Sequence, residues 1–84
     1  MRVAITGASS GIGAALAREF GTAGNALTLV ARRRALLEEL ARGLGGATHI
    51  AAADLSDTAH CAEWIAGAEA ALGPIDVLIN NAGA

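Results

Sequence analysis

The sequence predicts an α/β fold, a parallel sheet flanked by helices, and three observations carry that prediction. Short β-rich runs alternate with helical patterns along the whole chain, the connections between them are short, and glycines punctuate the junctions. Arg2 to Thr6 is a β-rich run stopped by Gly7, and a helical pattern then opens with Ile12, Leu16 and Phe20 at four-residue spacing. Gly21-Thr22-Ala23-Gly24-Asn25 is expected to break that helix, and Ala26 to Ala31 is an apolar run of strand length. Ala35 to Leu44 predicts an amphipathic helix with Leu36, Leu37, Leu40 and Leu44 on its apolar stripe, stopped by the glycines that follow. Thr48 to Ala53 is the least marked strand. Asp54-Leu55-Ser56-Asp57 supplies capping oxygens, and Thr58 to Leu72 carries Cys61, Trp64, Ile65, Ala68 and Leu72 at helical spacing. Gly73-Pro74 ends that helix, because proline cannot continue the hydrogen-bond ladder, and Ile75 to Ile79 is the last strand.

The order β-α-β-α-β-α-β with right-handed crossovers predicts a sheet that grows one way from its first to its third strand. The fourth strand then returns to the other side of the first, giving the order 3-2-1-4. Such a sheet has a switch point between strands one and four, and open α/β sheets bind ligands at the carboxyl ends of the strands there. Residues 7–13 and 80–83 both emerge at that point.

Length and composition set limits on function. Eighty-four residues with a net charge of −2 and 54% hydrophobic residues describe one small domain, and a second domain is excluded. Alanine supplies 22 residues, and each buries little area, so a core built on them predicts marginal stability. All six basic residues are arginine, and tyrosine is absent, so chemistry that needs a lysine amine or a phenol is outside these residues. The only basic cluster, Arg32-Arg33-Arg34, suits one phosphate and is too small for a nucleic-acid face. The single Cys61 allows no intrachain disulfide, and with only His60 adjoining it makes no metal site; the cytoplasm is the expected compartment. No stretch is long enough to cross a bilayer, and the first residues turn to glycine too early for a signal peptide.

Between the first strand and first helix lies Thr6-Gly7-Ala8-Ser9-Ser10-Gly11-Ile12-Gly13. Unpaired amides and the positive end of the helix dipole at such a junction receive phosphate, and glycine lets the backbone approach it. A lysine-bearing P-loop is eliminated by composition, and the spacing G-x-x-x-G-x-G differs from the usual G-x-G-x-x-G fingerprint. At the end of the second strand, where an acidic residue would bind a ribose 2′-hydroxyl, stand Ala31 and then Arg32 and Arg33. A guanidinium fork there suits a 2′-phosphate, with Arg32 as the main contact and Arg33 as a secondary one, and Ser9 or Ser10 adding a hydroxyl. NADP is therefore the first choice of cofactor and NAD the second.

With the T-G-x-x-x-G-x-G loop at one end, Asn80-Asn81-Ala82-Gly83 at the other and Asp54-Leu55 after the third strand, the sequence resembles the short-chain dehydrogenase/reductase family over its entire length. The resemblance implies a partial Rossmann-type doubly wound parallel sheet: a single dinucleotide-binding segment over residues 1–84, the N-terminal part of a longer one-domain enzyme. It also implies that Gly7, Gly11, Gly13 and the Ile12 backbone lie at the pyrophosphate, and Asp54 and Leu55 at the adenine edge. Asn81, Ala82 and Gly83 would follow the ribose side, while Asn80 braces the sheet. The family's catalytic serine and its Y-x-x-x-K pair have no counterpart here, so no catalytic residue is assigned. The implied activity is hydride transfer between NADP and a carbonyl or alcohol substrate. A non-catalytic nucleotide-binding sensor and a structural remnant are the rival readings, and homo-oligomerisation is left open.

Overall fold

A computed structural model describes residues 1–44, 46–54 and 61–81. Four strands, β1 (Arg2–Thr6), β2 (Ala26–Ala31), β3 (Thr48–Ala52) and β4 (Val77–Asn80), alternate with three helices, α1 (Gly11–Thr22), α2 (Arg34–Arg42) and α3 (Cys61–Leu72). All pairings are parallel and the strand order is β3-β2-β1-β4, the order expected from crossover handedness.

Central strands of a parallel sheet are covered on both faces, so they are apolar at successive positions and not at alternate ones. Val3, Ala4, Ile5 and Thr6 are all buried, as are Leu27 to Ala31. On one face Val3, Ile5, Leu27, Leu29 and Ala31 pack with Ala17 of α1 and Leu37 of α2, and Val77 and Ile79 of β4 join from the edge. On the other face Ala4, Val30 and Ala51 lie with Trp64 of α3 and the partly buried Ile75. The Trp64 indole N–H is buried there without an acceptor among the described residues, a cost set against the area the ring buries. Beside this cluster Leu78 points to the α3 face and is 53% exposed.

Several details refine or depart from the sequence expectations. Helix α1 ends inside the expected break over residues 21–25, running on through Gly21 to Thr22 and stopping at Gly24, which takes a φ of 87°. There the Gly24 amide donates to the Gly21 carbonyl and the Asn25 amide to the Phe20 carbonyl, the paired bonds of a left-handed helix stop. Gly21 is inside the helix because a side chain there would meet Leu44 Cδ2 at 3.2 Å. Ile12 does not join the apolar stripe: α1 faces the sheet through Gly13, Leu16, Ala17 and Phe20, and Ile12, one step round the helix, is 68% exposed. By the same geometry α2 uses Leu37, Leu40 and Ala41, with Leu44 just beyond its end, while Leu36 is 41% exposed.

Helix α2 is also shorter than expected, closing at Arg42 as the Gly43 and Leu44 amides tighten onto the Leu40 and Ala41 carbonyls. Sheet pairing on β4 starts at Val77 and not at Ile75, because Asp76 is spent on the edge of β1. Its carboxylate accepts from the Arg2 amide at 2.8 Å and its own amide donates to the Arg2 carbonyl at 2.8 Å. The expected capping residues 55–57 and the first helical positions 58–60 lie outside the described residues.

The helix rotation is testable by paired truncations. Leu37→Ala is expected to lower unfolding free energy by about 2–5 kcal/mol, and Leu36→Ala by no more than about 0.5 kcal/mol. Urea titration of both variants checks this, and equal losses would contradict the assigned face of α2.

Candidate dinucleotide site

The turn from β1 into α1 begins with Gly7, whose φ of 66° is a conformation that side chains rarely adopt. It brings the chain back on itself, so that the Ser10 amide donates to the Gly7 carbonyl at 3.1 Å, and Ala8 donates to the Val30 carbonyl of β2 at 3.2 Å. Ser10 caps α1: its hydroxyl accepts from the Gly13 amide at 3.2 Å, and its carbonyl accepts from the Ala14 amide at 2.8 Å. Gly13 lies against the turn so closely that a Cβ there would stand 2.2 Å from the Gly7 carbonyl oxygen.

Gly11 is different. A Cβ built on it meets nothing within 4 Å among the described residues, and its φ is one that other residues share. Among the described residues no packing contact demands glycine there, and they leave the space above it open. The amides of Gly11 and Ile12 meet no acceptor among the described residues, as the first turn of a helix requires unless a ligand supplies one. Open space, two free donors and the positive end of the α1 dipole together make a cradle that fits a phosphate.

The far wall of this cleft comes from β4. Pairing of β1 with β4 sets Asn80 opposite Thr6. The Thr6 hydroxyl donates to Asn80 Oδ1 at 3.0 Å and accepts from the Asn81 amide at 3.1 Å. Asn81 Nδ2 reaches back over the turn to the Gly7 carbonyl at 3.3 Å and the Ser10 hydroxyl at 3.0 Å. Sequence reasoning gave Thr6 no role, although its place at the last position of β1 between two strands was the available signal.

The remaining described candidates lie at the same carboxyl end of the sheet. Arg32 follows β2 and Arg33 occupies the N-cap position of α2 without a capping side chain. Both are exposed and neither meets a carboxylate among the described residues, whereas Arg34 is held by Glu38 at 3.2 Å. Ala8 is tied to Val30, so the Ser9 that follows it stands at the same end as Arg32, exposed and with no hydroxyl partner among the described residues. Asp54 follows β3 and is exposed. Leu55, Ala82 and Gly83 lie outside the described residues. Among the described residues no three His, Cys, Asp or Glu side chains gather as metal ligands, and no helix is long and apolar enough to cross a membrane.

The family model for short chain dehydrogenase matches residues 1–84. The chain belongs to the short-chain dehydrogenase family. It is 46% identical over 87 aligned residues to an uncharacterized oxidoreductase of Mycobacterium bovis, covering 96% of this chain and 26% of that protein. A metagenomic short-chain oxidoreductase solved in complex with NADP superimposes with a TM-score of 0.89 at 44% identity, covering 99% of this chain and 39% of the other. An NADH-dependent reductase solved with NAD gives 0.83 at 37% identity, covering 99% and 36%. The chain thus spans about a quarter to a third of the length of the curated relatives it matches. Its parallel sheet is a partial Rossmann fold, and dinucleotide binding is a property of its family.

Gly11 and Gly13 separate ligand space from folding space. Gly13→Ala is expected to cost about 1–3 kcal/mol of stability through overpacking on the Gly7 backbone. Gly11→Ala is expected to leave stability level or raised by up to about 1 kcal/mol. Urea unfolding of the two variants decides, and a large loss in Gly11→Ala would mean that the chain itself fills that space.

Proposed function

We propose that these 84 residues are the dinucleotide-binding part of a longer, cytoplasmic, NADP-dependent oxidoreductase acting on a carbonyl or alcohol substrate. The observation that supports the choice of cofactor is Arg32 at the end of β2, which meets no carboxylate among the described residues and stands on the same rim as the Gly11 and Ile12 amides, which meet no acceptor among them. A carboxylate at that place would accept from a ribose 2′-hydroxyl and repel a 2′-phosphate; a guanidinium does the reverse.

The residues divide the work by chemistry. The Gly11 and Ile12 amides donate to the pyrophosphate and Gly11 leaves room for it. Arg32, helped by Arg33 and the free Ser9 hydroxyl, holds the 2′-phosphate, and Asp54 and Leu55 border the adenine. Asn81, Ala82 and Gly83 line the ribose side. When bound, the nicotinamide gives or takes the hydride. The tyrosine and lysine that the family resemblance implies for proton transfer are not among these residues, so the 84-residue chain is expected to bind cofactor without turning over substrate. The relatives' greater length supports this division.

Calorimetric titration tests the proposal. The chain is expected to bind NADP more tightly than NAD, and Arg32→Ala to weaken NADP about tenfold while NAD changes by less than about twofold. The NADP advantage should shrink as salt rises, because the contact is exposed. Equal affinities in the parent chain would remove the Arg32 assignment, and carbonyl reduction by the 84 residues alone would overturn the division of labour.

A further inference from the structure

We infer that Ser10 is a positioning residue that locks the end of β4 onto the phosphate turn, and not a ligand of the cofactor; this rests on the dinucleotide reading above. A hydroxyl has one proton to donate and two lone pairs to accept with. Ser10 uses all three: it donates to the Gly7 carbonyl at 2.9 Å and accepts from the Gly13 amide at 3.2 Å and from Asn81 Nδ2 at 3.0 Å. A 2′-phosphate oxygen could bind it only by displacing the Gly7 carbonyl. The neighbouring Ser9 is exposed and its hydroxyl has no partner among the described residues, so the two serines have separate tasks.

Three of the bonded groups belong to one turn, and the fourth, Asn81, arrives from the other end of the sequence. The Asn81 backbone is held by Thr6 at the end of β1, while its side chain grips the Gly7 carbonyl and Ser10 beyond the turn. Asn81 therefore spans the turn from outside, and Ser10 is the point where helix cap and strand clamp meet. Losing the hydroxyl frees one helix amide and one arm of Asn81 together, which loosens the spacing between the two walls of the cleft. Both walls border the parts of a dinucleotide that NADP and NAD share.

The experiment combines cofactor titration with urea unfolding followed by fluorescence of Trp64, the single tryptophan. Ser10→Ala is expected to weaken NADP and NAD by the same factor, about five- to tenfold, from loss of the cap and clamp. Ser10→Thr, which keeps the hydroxyl, should stay within about twofold of the parent chain for both. In unfolding, the effects of Ser10→Ala and Asn81→Ala should fail to add, the double variant falling short of the product of the single losses by about threefold or more. A loss confined to NADP would make Ser10 a phosphate ligand and overturn the inference. Additive losses would reduce Ser10 to an independent helix cap and also overturn it. If the parent chain binds neither dinucleotide, the proposed function fails, and the unfolding cycle still decides the clamp.

Discussion

Gly13 packs its bare Cα face against the backbone of Gly7, and the direction of the first helix, the open cradle and the reach of Asn81 all depend on that approach. With a Cβ at residue 13 only 2.2 Å from the Gly7 oxygen, α1 would have to tilt away from β1. The left-handed Gly7 makes the approach possible by folding the chain sharply after the strand. Once the helix starts this close, Ser10 falls at its cap and the Gly11 and Ile12 amides face outward. Three glycines in seven residues thus answer to three constraints. Gly7 answers to backbone conformation, Gly13 to contact within the chain, and Gly11 to space that the described residues do not fill.

That turn forms locally, but the site does not. Its second wall arrives with β4, more than 70 residues later in sequence, and the chain closes that loop only when the parallel register with β1 is formed. The Thr6 hydroxyl and the Asn81 side chain join the two ends across this distance, so folding of the sheet edge and assembly of the cleft are one event. The Arg2–Asp76 contacts at the other end of the same strand pair fix where the register begins. Asp76 is used there, which leaves pairing to start at Val77 and brings Asn80, not another residue, opposite Thr6.

Strand order was readable from the sequence because crossover handedness leaves few alternatives once four strands and three helices alternate. The two motifs were readable because each sits at the carboxyl end of a strand. What the sequence concealed depends on a rotation of tens of degrees or on a partner distant in the chain. Ile12 and Leu36 look like core residues by spacing, yet each lies one step from the stripe that the close approach of its helix selects. The helix break expected over residues 21–25 is there, but which of its glycines makes it was hidden: Gly21 is a point of contact for Leu44, and the stop is the left-handed Gly24. The saturation of Ser10 was invisible because its third partner, Asn81, is 71 residues away.

The start of α2 breaks the rule of helix charge, and does so at the carboxyl end of the sheet. Helix N-termini favour acidic side chains, but α2 has none in its first turn, no capping side chain, and Arg32, Arg33 and Arg34 at or before its first residue. Arg34 is offset by Glu38 one turn along, and Arg2 elsewhere is offset by Asp76. Arg32 and Arg33 have no such counter-charge among the described residues. Two guanidinia facing the positive end of a helix raise the free energy of the ligand-free chain by repulsion, weakly because they are exposed. An anion held between them and the helix amides would be attracted to both and so offset that repulsion. A local violation of this kind, set beside an unfilled cradle, is what a binding site contributes to a sequence when the ligand supplies the missing charge.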